Sequence, residues 1–195
     1  MAYKNRVFDV QLKAHLEAMG AVLVEGPKWC GKTTTAKQVA GSVISLQDTD
    51  HREEYLATAT TKPSFLLEGK APRLIDEWQD APVLWDAVRT KVDERGLPGQ
   101  FILTGSNAVD ESKIHHSGTG RISRLEMLPM SLWEYGESNG SVSLMEMFDN
   151  PQEEIFATSK LSVEEIIFAA CRGGWPATLN LKDDKAKLLV AKEYV

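Results

Sequence analysis

The most constraining feature of the sequence is the segment Gly26–Thr33, which reads G-P-K-W-C-G-K-T. It satisfies the pattern G-x-x-x-x-G-K-[ST], in which glycines let the backbone approach phosphate oxygens and successive N–H groups enclose an anion. The apolar run Ala21–Val24 precedes it and predicts a buried strand, and a helix is predicted from Lys32 to Val39. A strand, a glycine-rich turn and a helix in this order predict a phosphate-binding site.

The chemistry expected of this segment depends most on its lysine and its threonine. Lys32 is expected to reach the β- and γ-phosphates of a nucleotide, and the Thr33 hydroxyl is expected to ligate Mg²⁺. Cys30 is either a functional thiol or a small residue tolerated in the loop, and Trp29 either stacks on a base or covers the site from outside. The residues predicted to bind the nucleotide here are Gly26, Pro27, Lys28, Trp29, Cys30, Gly31, Lys32, Thr33 and Thr34.

Two adjacent acids follow the apolar pair Leu74–Ile75 in the segment Arg73–Glu77, which reads R-L-I-D-E and is predicted to end a buried strand. In an open α/β sheet the ligand crevice lies at the carboxyl ends of the strands. Asp76 is therefore predicted to bind Mg²⁺, and Glu77 is predicted to act as a general base on the attacking water. Acids at a strand end also serve as helix caps, so this prediction depends on the phosphate-binding segment upstream.

Other polar residues complete the predicted site. Thr104 and Ser106 follow a strand predicted at Phe101–Leu103. One interpretation is that a hydroxyl here contacts the γ-phosphate or the lytic water; the other is that Thr-Gly-Ser only forms a turn. Phosphoryl transfer benefits from a cation on the developing charge, and the candidate is Arg121, which follows Gly-Thr-Gly and begins a strand predicted around Ile122–Leu128. The alternative is an ordinary solvated arginine. Three other arginines are candidates for the same role but do not follow a comparable glycine-rich segment; they are Arg73, Arg89 and Arg124.

Several other chemistries are disfavoured. The adjacent His115 and His116 do not converge on one metal, and no further His or Cys lies at ligand spacing. Lys and Arg number 22 against 28 Asp and Glu, and the net charge of −6 does not favour broad binding to a nucleic-acid backbone, although a local basic surface stays possible. A further short strand is predicted at Val43–Leu46, and the polar residues after it are expected in a solvated loop; they are Asp48, Asp50 and His51.

The cellular setting follows from three further observations. Two cysteines, Cys30 and Cys171, do not make a disulfide scaffold, and the N-terminus lacks the apolar segment of a secretory signal. The longest strongly apolar stretch, Ile166–Cys171, is far shorter than the roughly 20 residues that cross a bilayer. We therefore expect a reduced, cytoplasmic protein without a membrane segment.

Short strands alternate with helical segments up to residue 128, which predicts an α/β fold with a mostly parallel sheet covered on both faces. Residues 129–195 favour helices only, so we expect a nucleotide-binding domain over 1–128 and a helical extension over 129–195. The final helix stops without a capping signal, and we expect the protein to continue; a frayed terminal helix is the alternative.

The ordered set of motifs resembles a known family, the prokaryotic AAA-type P-loop ATPases with an AAA_14 domain followed by a DUF4143 C-terminal domain. The resemblance rests on five segments besides Gly26–Thr34, namely Leu74–Gln79, Gly99–Ser106, Gly120–Ile122, Leu128–Glu134 and Gly173–Pro176. It departs from the family at Lys28, Trp29 and Cys30.

The resemblance implies a P-loop NTPase three-layer sandwich with a five-stranded sheet in the order 5-1-4-3-2, followed by part of a helical domain. It assigns Lys32 and Thr33 to phosphate and Mg²⁺, Asp76 to Mg²⁺ and Glu77 to water. It also implies that Thr104 or Ser106 is a sensor-like group, and that Arg121 senses charge.

The function expected from these residues is Mg²⁺-dependent ATP binding with hydrolysis to ADP and phosphate, serving a conformational switch or motor. ATP is favoured over GTP by the family and because no N-K-x-D motif appears. The alternatives are a nucleotide-gated interaction module with negligible hydrolysis and a small-molecule phosphotransferase. An unknown protein partner for the C-terminal domain and a homo-oligomer are further expectations.

Overall fold

The computed structural model describes residues 3–105 and 117–194 of the chain. Its contacts divide the chain into a first compact unit that ends at Leu128 and a second that begins at Pro129. The strands of the first unit are β1 (Ala21–Glu25), β2 (Ser42–Ser45), β3 (Arg73–Asp76), β4 (Phe101–Thr104) and β5 (Ile122–Glu126). Within the described residues they form one parallel sheet in the order β2-β3-β4-β1-β5, which confirms the expected α/β fold and strand order.

Helices precede, connect and follow these strands. The first unit contains α1 (Phe8–Ala18), α2 (Lys32–Lys37), α3 (Arg52–Thr61) and α4 (Val83–Arg95), with short 3₁₀ helices at Pro63–Leu67 and Trp78–Asp80. The second contains α5 (Leu132–Tyr135), α6 (Leu144–Asp149), α7 (Val163–Arg172) and α8 (Asp184–Tyr194), with a 3₁₀ helix at Pro176–Asn180. In the described ranges, no helix combines the length and the apolar character that crossing a membrane requires.

The core of the first unit follows from the two-residue period of its strands. Ala21 and Leu23 of β1 pack in one cluster with the buried side chains of α3 and α4, among them Trp85. The alternate residues, Val22 and Val24, are equally buried on the opposite face, where α1 and α2 contact the sheet. Because both faces are covered, the central strands are mostly apolar, and each fully buried Val, Leu, Ile or Phe side chain contributes roughly 1.5–3 kcal/mol.

A buried arginine joins the phosphate-binding segment to the end of β5. Arg6 is 7% exposed, and its two terminal nitrogens donate to the carbonyl oxygens of Cys30 and Leu128, each at 2.8 Å. The backbone N–H of Arg6 donates to the Asp9 carboxylate at 2.8 Å, which begins α1 close to this contact. The segment before α1 therefore holds two loops together, a role that the sequence analysis did not assign.

The second unit is stabilised by its own arginine. Arg172, at the end of α7, is 3% exposed and forms a bidentate pair with Glu137 at 2.7 and 2.9 Å. Its guanidinium also lies 3.8 Å from the centre of the Tyr135 ring. Gly174 follows, and a Cβ there would lie 2.2 Å from the carbonyl oxygen of Met130, so this glycine permits close backbone contact. The Gly173–Pro176 motif thus has a packing role in this unit.

We predict that Arg6→Met destabilises the first unit by about 3 kcal/mol, because one buried and one part-buried carbonyl lose charged donors that nothing replaces. Urea unfolding monitored by circular dichroism measures this loss. The matched control is Lys13→Met, which removes an exposed charge from α1 and is expected to cost less than about 0.5 kcal/mol. Equal unfolding midpoints for the two variants would show that Arg6 does not hold these loops.

Candidate nucleotide-binding site

The parallel register brings polar residues together at one edge of the sheet. Ser45 pairs with Asp76 and Asp76 pairs with Thr104, so the last residues of β2, β3 and β4 stand side by side. The phosphate-binding segment Gly26–Thr33 follows β1 at the same edge. This is the carboxyl edge, where ligands bind in open α/β sheets.

The Asp76 carboxylate is the centre of this edge. Its Oδ1 accepts hydrogen bonds from the hydroxyls of Thr33 and Thr104, both at 2.6 Å. Its Oδ2 accepts one from Ser45 at 3.3 Å. Asp76 is 8% exposed, so these donors satisfy a carboxylate that is largely removed from water. Sequence reasoning missed Ser45, whose only signal is that it ends the strand that the register places beside β3.

The phosphate-binding segment has the backbone that a close approach requires. Gly26 has a φ of 147°, and a Cβ there would lie 2.1 Å from the carbonyl oxygen of Met127. Gly31 has a φ of 105° and directly precedes α2. A side chain at either position would strain the backbone, and one at Gly26 would also collide with the backbone of Met127, which directly follows β5. The segment is therefore shaped as a concave turn that ends at a helix N-terminus.

Lys32 places a positive charge inside this turn. Its Nζ donates to the carbonyl oxygens of Gly26 and Pro27, each at 2.8 Å, and the residue is 6% exposed. Among the described residues, no carboxylate pairs with this ammonium. A buried cation that is solvated only by carbonyl groups lacks a counter-charge, and the N–H-rich turn around it suits an anion. The residues present thus fit a phosphate group.

The residues predicted to hold the metal are of a kind that suits Mg²⁺. Thr33 and Asp76 offer a hydroxyl and a carboxylate oxygen in direct contact, which is the type of donor that Mg²⁺ prefers. In the described ranges, no group of three or more His, Cys, Asp or Glu side chains converges as a metal site. Mg²⁺ is usually bound by one or two protein oxygens together with phosphates and water, and Thr33 and Asp76 supply such a pair.

Glu77 lies directly after Asp76 with an unusual backbone. Its φ is 57° and its ψ is 47°, in the left-handed region, and its Oε2 accepts a hydrogen bond from the Gln79 amide at 2.5 Å. Among the described non-glycine residues, only Trp29 shares a positive φ, of 63°. Trp29 belongs to the phosphate-binding segment and Glu77 to the pair of acids after β3. Backbone strain of this kind typically concentrates at functional sites.

The remaining residues predicted to bind nucleotide differ in where their side chains lie. Those of Lys28, Trp29 and Thr34 are exposed, with Trp29 at 65%. The Cys30 side chain is fully buried, and its Sγ donates to the carbonyl oxygen of Met127 at 3.3 Å. Ser106 lies outside the described residues, as do His115 and His116.

Arg121, the candidate cation, lies away from the phosphate site of its own chain. Arg121 precedes β5, and its carbonyl accepts from the N–H of Ala21 at the start of β1. It therefore lies at the amino edge of the sheet, separated from the site by the length of a five-residue strand, roughly 16 Å. There it is exposed and its Nε donates to Asp93 at 2.8 Å. The sequence placed it before a strand but could not say at which edge that strand begins.

The other arginines considered have partners of their own. Arg73 begins β3 at the amino edge and donates to the carbonyl of Leu66 at 2.6 Å. Arg89 of α4 lies near Asp86 and Asp93 at 3.9 and 3.8 Å. Arg124, in the middle of β5, lies 5.3 Å from the centre of the Trp85 ring. Arg6, by contrast, contacts the phosphate-binding turn directly, through its hydrogen bond to the backbone carbonyl of Cys30.

The burial of Cys30 leads to a prediction about thiol reactivity. Burial raises the pKa of its thiol, and the side chain is inaccessible, so it stays protonated and unreactive in the folded chain. Cys171 is exposed. We expect a disulfide reagent at pH 8 to modify only Cys171 in the native protein and both thiols in denaturant. Cys171→Ala is the control, and rapid labelling of the folded variant would contradict this placement of Cys30.

Comparison with known proteins agrees with this geometry. The sequence profile of the AAA_14 family, described as an AAA domain, matches residues 19–136, which include the sheet and the site. Two uncharacterized proteins, from Mycobacterium bovis and Mycobacterium tuberculosis, are each 29% identical over 140 residues, or 71% of this chain. That segment covers 32% of each relative, so the match extends over about a third of their length. On the family match and the sheet that carries it, the chain belongs to the AAA_14 family of AAA-type P-loop domains.

Proposed function

We propose that this chain binds ATP with Mg²⁺ and hydrolyses it to ADP and phosphate. The observation that carries the proposal is the buried ammonium of Lys32, enclosed by Gly26–Thr33 without a carboxylate partner among the described residues. Such a charge is stable only when an anion or a ring of dipoles compensates it. A triphosphate supplies that anion at a turn built from main-chain N–H groups.

Each residue of the edge has a proposed part. Lys32 and the N–H groups of the turn bind the β- and γ-phosphates, while Thr33 and Asp76 hold Mg²⁺, which, when bound, neutralises charge on the phosphate oxygens. Glu77 accepts a proton from the attacking water as general base. Thr104, which bonds Asp76 at 2.6 Å, keeps the carboxylate oriented.

The choice of hydrolysis over transfer to another acceptor is supported by Glu77. Its carboxylate lies directly after the proposed metal ligand, is half-buried, and has one oxygen bonded to an amide. A carboxylate in that position suits the activation of water.

Further properties remain proposals of the same kind. ATP is proposed over GTP because of the family, and a DUF4143 domain after residue 129 is proposed from the resemblance described above. A role for Arg121 in turnover requires the site of a second copy, because the sheet separates Arg121 from its own. Hydrolysis would then depend on protein concentration.

The test is phosphate release from ATP and GTP, measured with and without Mg²⁺. We predict that Glu77→Gln lowers kcat by about 100-fold or more while nucleotide still binds, because it removes the base and keeps the shape. Lys32→Ala is expected to abolish binding, measured by calorimetry. Lys37→Ala, which changes an exposed lysine of the same helix, is the matched control and should leave both quantities unchanged.

The outcomes separate the alternatives. Parental turnover by Glu77→Gln would remove Glu77 from the mechanism. Tight ATP binding with turnover equal to buffer would favour the nucleotide-gated interaction module, and phosphate on an added acceptor would favour the phosphotransferase. Absence of nucleotide binding in the folded parent would refute the proposal.

A further inference from the structure

The side chain of Gln79 bridges the proposed base and the end of β4. Its Nε2 donates to the Oε2 of Glu77 at 2.5 Å. The opposite atom of the same amide, Oε1, is buried and finds no hydrogen-bond donor among the described residues. This orientation places the amide nitrogen on the carboxylate. The reverse orientation would set two acceptor oxygens against each other, so Glu77 decides which way the amide points.

Gly105 provides the space for this bridge. It directly follows Thr104, and a Cβ at this position would lie 2.6 Å from the Oε1 of Gln79 and 3.0 Å from the Nε1 of Trp78. Its φ is outside the left-handed range, so the backbone does not require glycine here. The missing side chain is needed because the Gln79 amide and the Trp78 indole lie against the Cα atom.

The bridge is held despite a local cost. Trp78 is 1% exposed, and its indole Nε1 is, like the Oε1 of Gln79, a buried polar atom without a partner in the described part of the chain. Unsatisfied buried groups of this kind are uncommon in folded proteins, and those that persist call for an explanation. In the described part of the chain, the Gln79 amide thus uses its donor on Glu77 and leaves its acceptor without a partner.

We propose that Gln79 is a positioning residue that holds the Glu77 carboxylate in its reactive orientation, and that Gly105 keeps Gln79 in place. The inference rests on the proposed function, because it assigns Glu77 the role of base. A glutamate side chain has three rotatable bonds, and at a half-buried site an orienting donor restricts them. The bridge also links the base to β4, the strand whose Thr104 orients Asp76.

The kinetic test compares Gln79→Ala, Gly105→Ala and the double variant with the parent. We expect Gln79→Ala to lower kcat by about 10- to 100-fold, since a base displaced by about 1 Å costs that much. Its affinity for Mg²⁺-ATP should not change. Gly105→Ala should give a similar loss because the added methyl displaces the amide. The double variant should be no slower than Gln79→Ala alone, since the methyl then fills vacated space.

A matched control and a folding check accompany this cycle. Gln47→Ala changes an exposed glutamine that follows β2 at the same edge and contacts Asp80 rather than Glu77. It should turn over at the parental rate, and thermal unfolding should be comparable for Gln79→Ala and Gln47→Ala. Unchanged or increased kcat in Gln79→Ala, or additive losses in the double variant, would overturn the proposal.

A second measurement does not depend on hydrolysis. In the nucleotide-free, ¹⁵N-labelled protein, the side-chain amide signals of Gln79 are identified by their loss in Gln79→Ala. We expect Glu77→Ala and Gly105→Ala to shift these signals, and Glu126→Ala, at an exposed residue of β5, to leave them in place. If the parent hydrolyses no ATP, the proposed function fails. Shifted signals would then still establish the bridge, whereas signals unaffected by Glu77→Ala would refute it independently.

Discussion

The hydrogen bonds to the Asp76 carboxylate hold together the polar residues at the carboxyl edge of the first unit's sheet. The carboxylate accepts hydroxyl hydrogen bonds from Thr33, Ser45 and Thr104, which lie at the start of α2 and at the ends of β2 and β4. A carboxylate this buried is costly unless its oxygens are satisfied, so the three donors are held where the register of the strands places them. The phosphate-binding turn and the sheet therefore share one network.

Strain and stability are balanced at this edge. Trp29 and Glu77 both take the left-handed backbone conformation, which costs an ordinary residue about 1–2 kcal/mol. The flanking elements keep them there, since Lys32 ties its own turn through two carbonyls and Arg6 ties the same turn to the end of β5. Packing of the surrounding strands and helices thus stabilises a backbone conformation that the isolated segments would not adopt.

Much of the fold could be read from local patterns. The apolar runs at Ala21–Val24 and Phe101–Leu103 lie in buried strands, and the helix predicted after the phosphate-binding turn begins at Lys32 as expected. The strand order came from a family resemblance, because hydrophobic periodicity does not say which strands are neighbours. The same limit explains Arg121, whose neighbours along the chain gave no information about the edge of the sheet on which it lies.

By itself, the sequence determined the class of fold and the two motifs, since the glycine spacing and the placement of acids after apolar runs are local properties. Only the tertiary structure decided which side chains meet. Ser45 reaches Asp76, Arg6 reaches Cys30 and Gln79 reaches a space left by Gly105 because parallel register and helix packing bring distant segments within hydrogen-bond distance. Such contacts depend on which segments are neighbours in three dimensions, and the pattern of residues along the chain does not predict them.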